Sequence, residues 1–468
     1  MAKKNTLKNK SVAVIGAGWA GCAAACELAQ QGATVTLLES SRNLGGRARG
    51  ITVHGHQLDN GQHILLGAYT QSLRLMRLVG LDTENALLNI PLQMVYPELE
   101  EGMSFIAPRL PAPLHLLLAL IKSSGLSFAD KMALSRFSST ARWMGWRLNE
   151  DCSVIELLER FDQTPRLCRL MWIPLCIAAL NTPPEKASAQ VFLNVLRDSL
   201  GAKRAASDML IPRLDLSSIF PEKAAEYVRA HGGYVLSAHT ATGLLQNDNG
   251  KWQIQLKQAD ALAKAQTEAQ LPLYDAVILA CDFANADRLL ATLPAKNQAA
   301  PLPALRDFSY EPITTCYLQY APGVRLQRPM LALLDDAGQK KWGQYVFDRG
   351  QLQPDQAGLL AVVVSVSQAA TEIDRHELAT DIASQLAQSL GMPELTQPIW
   401  HQCISEKRAT FSCAPGLNRP DNHTVYAGLY LAGDYTKGDY PATLEGAVRS
   451  GIAASQAIIK DLKAAAKN

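Results

Sequence analysis

Residues 11–39 read SVAVIGAGWAGCAAACELAQQGATVTLLE, and their order decides the fold. The apolar run SVAVI is a buried strand. Gly16-Ala17-Gly18-Trp19-Ala20-Gly21 follows it and opens a small-residue helix that Gly32 closes, and ATVTLLE is the next parallel strand. Each glycine has its own reason to lack a side chain. Gly16 permits a tight turn, Gly18 lets a pyrophosphate reach the backbone, and Gly21 lets the helix lie close against the sheet. The free N–H groups and the positive dipole at the start of the helix favour phosphate. Glu39 ends the second strand, eighteen residues after Gly21, where a carboxylate can accept from both ribose hydroxyls of an adenosine. This order predicts an α/β, Rossmann-type domain that binds a dinucleotide.

The remaining composition sets bounds. At 468 residues the chain exceeds one ordinary core, so two or three interleaved domains are expected. Apolar residues at 48% with mixed charge describe a globular chain. A net charge of +2 without a dense basic block argues against nucleic-acid binding. Nine cysteines include no CxxC pair and no Cys/His group at zinc spacing, so reduced thiols in a cytoplasmic protein are expected, without a structural metal. MAKKNTLKNK ahead of the first apolar run imitates an export signal, but the glycine fingerprint accounts for the same residues. No run reaches the ~18 to 20 apolar residues that span a bilayer.

Further strands are expected in YDAVILACD (274–282) and HTVYAGLYLAGD (423–434), and GGYVLSAHTATGLLQNDNGKWQIQLK (232–257) reads as strand, strand, Asn-Gly turn and strand. A helix is expected from TLEGAVRSG almost to the end, and ADALAKAQTEAQ (259–270) reads as a soft surface insertion. The expected division is a dinucleotide-binding domain in three pieces, 1–95, 225–299 and 405–468. An α+β substrate domain would take a mainly helical 96–224 and a sheet-containing 300–404.

Three further segments narrow the cofactor. SSRNLGGRARG (40–50) carries Gly45-Gly46-Arg47, DNGQHILLGAY (59–69) wedges Gly61 between Asn60 and Gln62, and LAGDYTKGDYPATLEGAVRSG (431–451) joins a Gly-Asp pair to a helix start. Together they resemble the FAD-dependent amine oxidase and phytoene desaturase superfamily. MWIPLCIAALNTPPEKASAQVF (171–192), SDMLIPRLDLSSIFPEKAAEYVRAHGG (207–233) and EKRATFSCAPGLNRP (406–420), taken with 59–69, resemble its hydroxysqualene dehydroxylase family over residues 11–455. GDYP (438–441) is a place where superfamily members differ.

The resemblance implies non-covalent FAD in a GR2-type fold. Its shell would comprise Gly16, Gly18, Ala20, Gly21, Glu39, Ser40, Gly45, Gly46, Arg47, Gly61, Gln62, His63, Ala241, Gly433, Asp434, Thr443, Leu444 and Ala447. Arg47 would neutralise phosphate, Gly61 would lie against the ring, Asp434 would accept from a ribityl hydroxyl, and the N–H groups near Leu444 would face the pyrimidine end. It further implies reductive dehydroxylation of hydroxysqualene to squalene for hopanoid synthesis, beside prenyl synthases of that route. Loss of water would leave a delocalised cation, quenched by hydride from reduced FAD in a dry, apolar site. His63, Asp208, Asp439 and Tyr440 are the catalytic candidates, and Trp172, Tyr435 and Tyr440 are candidates to face the cation. An oxidative desaturase of a carotenoid-type polyisoprene and an amine oxidase stay open as alternatives.

LPAPLHLLLALIKSSGLSF (110–128) is apolar almost all round a short helix. Two expectations follow: burial as lining of a long-chain pocket, or peripheral insertion at the inner face of the cell membrane.

Overall fold

The computed structural model describes residues 6–97, 99, 102–257, 271–294, 305 and 307–465. The segment 259–270, read as a surface insertion, lies outside the described residues, as does the 299/300 division.

A five-stranded parallel sheet runs in the order Tyr234–Leu236, Thr34–Leu38, Ser11–Ile15, Ala276–Leu279, Leu429–Leu431. Its strands come from the beginning, middle and end of the chain, as the spaced apolar runs predict. The central strand pairs Ser11 with Thr34 on one side and Val12 with Ala276 on the other. Both faces of such a sheet are covered, which explains why Val12, Ala13 and Val14 are all fully buried. The helices Trp19–Gln30 and Leu444–Ala465 cross on one face. Their approach is too close for side chains: a β-carbon on Gly451 would fall onto the carbonyl oxygen of Ala20.

The expected hairpin is present as Ala241–Gln246 and Trp252–Leu256, with Gly250 at φ +75° in its turn. Two strands, Ser104–Ile106 and Met209–Pro212, stand in the stretch expected to be mainly helical. Met209–Pro212 pairs between Leu65–Leu66 and Leu87–Ile90. Its run MLIP is fully buried and short, so apolar periodicity alone cannot tell it from a buried helix turn.

A second sheet, antiparallel, has the order Met330–Ala332, Tyr345–Asp348, Leu359–Ser365, Tyr310–Gln319, Trp400–Phe411. The alternation of side chains divides its faces. Val362 and Val364 pack under the helix Arg375–Leu390, against Leu378 and Ile382, while Val363 turns to a cavity on the other side. Across that cavity lie the helices Leu114–Lys122, Phe128–Trp143, Ile173–Leu180 and Ala189–Ser199. Ser127 and Asp130 cap the second of these reciprocally. A π-turn at Cys168–Trp172 leads into the third and carries Met171 and Trp172 to the cavity wall.

The helix crossing gives a first prediction. Gly451→Val should destabilise the protein by about 1–3 kcal/mol or more through overpacking, seen as a lower denaturant midpoint. Gly323→Ala, where an added carbon meets nothing within 4 Å, should leave the midpoint in place.

Candidate active site

A cavity of about 930 Å³ runs from Glu39 and Ser40, past Gly18, Gly46 and Gly61, to the helices Leu114–Lys122 and Phe128–Trp143. At its polar end the three fingerprint glycines do different things. Gly16 sits at φ +108°, and a β-carbon there would lie 2.6 Å from the oxygen of Ala280. A β-carbon on Gly21 would strike the Gly16 carbonyl. Gly18 is different: its added carbon would meet nothing nearer than Gly46 Cα at 3.9 Å. The protein itself leaves that space open, as a cradle for a group that must touch backbone. Gly45, paired to Gly18 in a short parallel bridge, closes the cradle, with Gly46 beside it at φ +61°.

Glu39 is buried and preorganised. One carboxylate oxygen accepts from Ala17 N at 2.8 Å, and the other accepts from Ser41 N at 2.9 Å and Ser40 Oγ at 3.2 Å. Arg47 is not free to meet a phosphate. Its guanidinium donates to Asp434 at 2.6 Å and to the Ala409 carbonyl at 3.1 Å, so a carboxylate beside it takes its charge. Asp434 therefore carries this ion pair as well as its place on the cavity wall.

The loop after Asp59 is held from both halves of the molecule. Asn60 receives Arg49 N at 3.1 Å and donates to the Arg47 carbonyl at 3.0 Å. Gln62 N donates to Thr315 Oγ1 at 3.2 Å, and Gln62 Oε1 accepts from the fully buried Arg349 at 3.1 Å. A β-carbon on Gly61 would make only ordinary contacts, the nearest with His63 at 3.6 Å. Crowding by protein atoms therefore does not explain that glycine. His63 Nδ1 lies 2.6 Å from the Gly61 carbonyl, which can only accept, so Nδ1 carries the proton. Burial pushes the imidazole below its usual range, leaving a neutral ring that orients the loop.

At the third element, Gly433, Asp434, Thr443, Leu444 and Ala447 reach the cavity, and so do Ala20 and Ala241. Tyr435 does not. It is buried behind the turn, edge-on to Phe283 and Phe308, because residues alternate sides as the strand Leu429–Leu431 leaves the sheet. Two acid candidates also stay off the wall. Asp208 is buried in an ion pair with Arg204 at 2.7 Å, and Asp439 is exposed and pairs with Arg197 at 3.4 Å. Trp172 lines the cavity but packs on Phe137, with its N–H donated to Gln163 at 2.8 Å.

Tyr440 reaches the wall, in company with a residue that the motifs did not flag. Its hydroxyl donates to Asp198 at 2.8 Å, and Arg449 stands 4.6 Å from the ring centroid. Burial alone would raise the Asp198 carboxyl, but hydrogen bonds from Arg197 and Tyr440 with the nearby Arg449 hold it below the usual carboxylate range. Burial and the Asp198 carboxylate push the Tyr440 phenol up. Asp198 ends an amphipathic helix, and only the fold brings it beside a residue 242 positions away.

The model of flavin-containing amine oxidoreductases matches residues 19–459. The chain belongs to that family. It is similar to the hydroxysqualene dehydroxylase of Rhodopseudomonas palustris, at 31% identity over 96% of this chain and 99% of that one. It is also similar to the zeta-carotene desaturase of Synechocystis, at 23% identity over 96% and 97%. The fold matches cyclohexylamine oxidase from Brevibacterium oxydans, with a TM-score of 0.67 at 17% identity over 97% of this chain and 99% of that one. This flavin-dependent oxidoreductase takes FAD, and its residues fit the group: an open glycine cradle, a buried carboxylate on the cavity wall at Glu39, and a second glycine with space beside it.

Gly18→Ala should fold with an unchanged unfolding midpoint, because its carbon meets open space, yet lose FAD on gel filtration. Retention of FAD would show that no phosphate approaches Gly18. Asp59 supplies a pH test. Burial lifts its carboxyl to about 7 against the pull of Arg349. Between about pH 4 and 7 the folded state holds a proton that the unfolded chain has released, so stability falls as pH rises, by on the order of a few kcal/mol. Denaturant unfolding at pH 5 and 8 should show that fall, and Asp59→Asn should flatten it.

Proposed function

We propose that this enzyme reductively removes the hydroxyl of hydroxysqualene to give squalene, supplying squalene and hopanoid synthesis beside the prenyl synthases that make its substrate. The observation that carries the reading is the continuity of one cavity. Its far arm leaves the cofactor cradle and runs between helices, lined by Leu92, Met94, Phe105, Leu116, Leu134 and Leu175. Such a wall has little to offer an amine or a sugar and suits a long unsaturated hydrocarbon.

Bound FAD supplies a hydride when reduced and takes two electrons away in the reverse direction. The chain's residues handle the rest. In dehydroxylation the C–O bond breaks, the hydroxyl leaves as water with one proton, and a C–H bond forms at the cationic carbon. Tyr440 is the group proposed to give that proton. Its O–H rests on Asp198 and must turn to the leaving hydroxyl, Arg449 over its ring offsets the charge left on the phenol oxygen, and the phenol regains its proton from solvent after turnover. The Asp198 carboxylate lines the same wall and is placed to attract a neighbouring carbocation. The apolar arm excludes water that would recapture the cation. His63, neutral and bound through Nδ1, keeps the Gly61 loop in place. Contact of residues 110–128 with the inner face of the cell membrane would bring the insoluble substrate to this arm.

The similarity to zeta-carotene desaturases supports a second reading, oxidation of a carotenoid-type polyisoprene on the same wall. Anaerobic mixing separates the two. Reduced enzyme should be reoxidised by hydroxysqualene with squalene formed, while oxidised enzyme should not be bleached by phytoene, zeta-carotene or an amine. Bleaching by a carotenoid without reoxidation by hydroxysqualene would replace the first reading by the second. Tyr440→Phe should slow reoxidation by about 10²-fold or more with FAD retained. Full activity in that variant would remove the phenol from the reaction.

A further inference from the structure

The exposed surface around the apolar arm has an unusual composition. Helix Leu114–Lys122 is two-faced: His115, Leu116, Ala119 and Leu120 turn inward, while Leu114, Leu117 and Ile121 are each more than half exposed. Across from it, helix Phe128–Trp143 exposes Phe128 at 80%, Met132 at 45% and Trp143 at 87%. Neither expectation for 110–128 is therefore complete, because the segment lines the pocket with one face and shows apolar side chains to the outside with the other.

The two stripes flank an opening. Leu117, Ser138, Ser139 and Arg142 are exposed and also line the cavity. The mouth of the apolar arm thus lies between the two helices, beside their exposed leucine, isoleucine, methionine and tryptophan.

Along the two helices and the segments that flank them, from Phe105 to Asn149, exposed charge has one sign. Between Phe105 and Asn149 the basic side chains are Arg109, Lys122, Lys131, Arg136, Arg142 and Arg147, and the sole acidic one is Asp130, which is buried as a helix cap. Lys131 donates to the Ile121 and Ser123 carbonyls. Among the described residues the other five make no ion pair with a carboxylate, and all five are exposed. Apolar side chains with a tryptophan, ringed by cations free of counter-charge, are the composition of a surface that rests in the interface of an anionic bilayer. A second copy of this chain would bring the same cations face to face across a two-fold axis, which costs energy.

We propose that the helices Leu114–Lys122 and Phe128–Trp143 form a monotopic docking face for anionic lipid, with the mouth of the cavity opened directly onto the bilayer. Exposure, charge and the position of the mouth define this face. Only its purpose, the entry of an apolar chain without crossing water, rests on the polyisoprenoid reading.

The test scores FAD-loaded protein by flotation with vesicles of phosphatidylcholine alone or with about one-third phosphatidylglycerol, no substrate being present. Wild type should float with the anionic vesicles at least about tenfold better, and salt should weaken the binding. Ile121→Glu/Phe128→Glu/Trp143→Glu should lose at least about tenfold in binding, with FAD and turnover of detergent-dispersed substrate retained, since none of the three lines the cavity. Lys122→Glu/Arg136→Glu, which touches no apolar residue of the stripes, should lose the preference for anionic vesicles. Wild type left in solution with both vesicles, or both variants floating like wild type, would overturn the proposal. So would a concentration-dependent dimer in sedimentation that the triple variant abolishes, because the face would then belong to a second copy. Protein that floats but turns over no polyisoprenoid would instead sink the proposed reaction and leave the docking face standing.

Discussion

Backbone meeting backbone at the first turn is the constraint on which the rest depends. Gly21 lies on the carbonyl of Gly16, Gly16 lies against Ala280, and Gly451 lies on the carbonyl of Ala20. These three contacts join the first strand, the middle of the chain and the last helix within one small region. A side chain at any of them would push two layers apart. Because they hold, strands from distant parts of the sequence share one sheet, and the ends of those strands converge on a single cavity.

That convergence has electrostatic consequences. The segments that arrive at the cavity bring charges, and the structure gives several of the buried ones a partner. Arg47 takes Asp434, Arg197 and Tyr440 take Asp198, and Arg349 takes Gln62 and Gln356. Buried charges without such partners would cost several kcal/mol each. The cavity wall carries, among others, a buried carboxylate at Glu39, a neutral imidazole at His63 and a phenol bound to a carboxylate at Tyr440. A polar cofactor can be held at one end while the other end stays apolar.

The antiparallel sheet and the helical layer make the second half of the cavity by alternation. Val363 faces the cavity because Val362 and Val364 face the helix Arg375–Leu390, and Leu116 and Leu120 face it because Leu114 and Ile121 do not. The same periodicity that lines the arm inside leaves apolar side chains outside. A pocket wall only one helix thick has this result wherever both of its faces are apolar.

The local rules were sufficient for much of this. GAGWAG after a buried strand, Glu39 at the next strand end, and Gly433-Asp434 ahead of a helix are short-range signals, and their geometry depends on neighbours a few residues away. The sequence alone determined a Rossmann-type sheet, a dinucleotide cradle and an apolar segment at 110–128. Three matters were decided only by tertiary structure, because each depends on what lies opposite in space. MLIP at 209–212 became a strand when Leu65–Leu66 and Leu87–Ile90 offered hydrogen-bond partners on both sides. Asp208, Asp439 and Tyr435 looked as reactive in the sequence as Tyr440, yet an ion pair, solvent and a packed core took them away from the wall. Asp198 carried no motif at all, and its place beside Tyr440 exists only because the helix Ala189–Ser199 packs against the turn before the last helix. A side chain's chemistry is set by burial and by its partners, and partners 242 residues apart are not written in any short stretch of sequence.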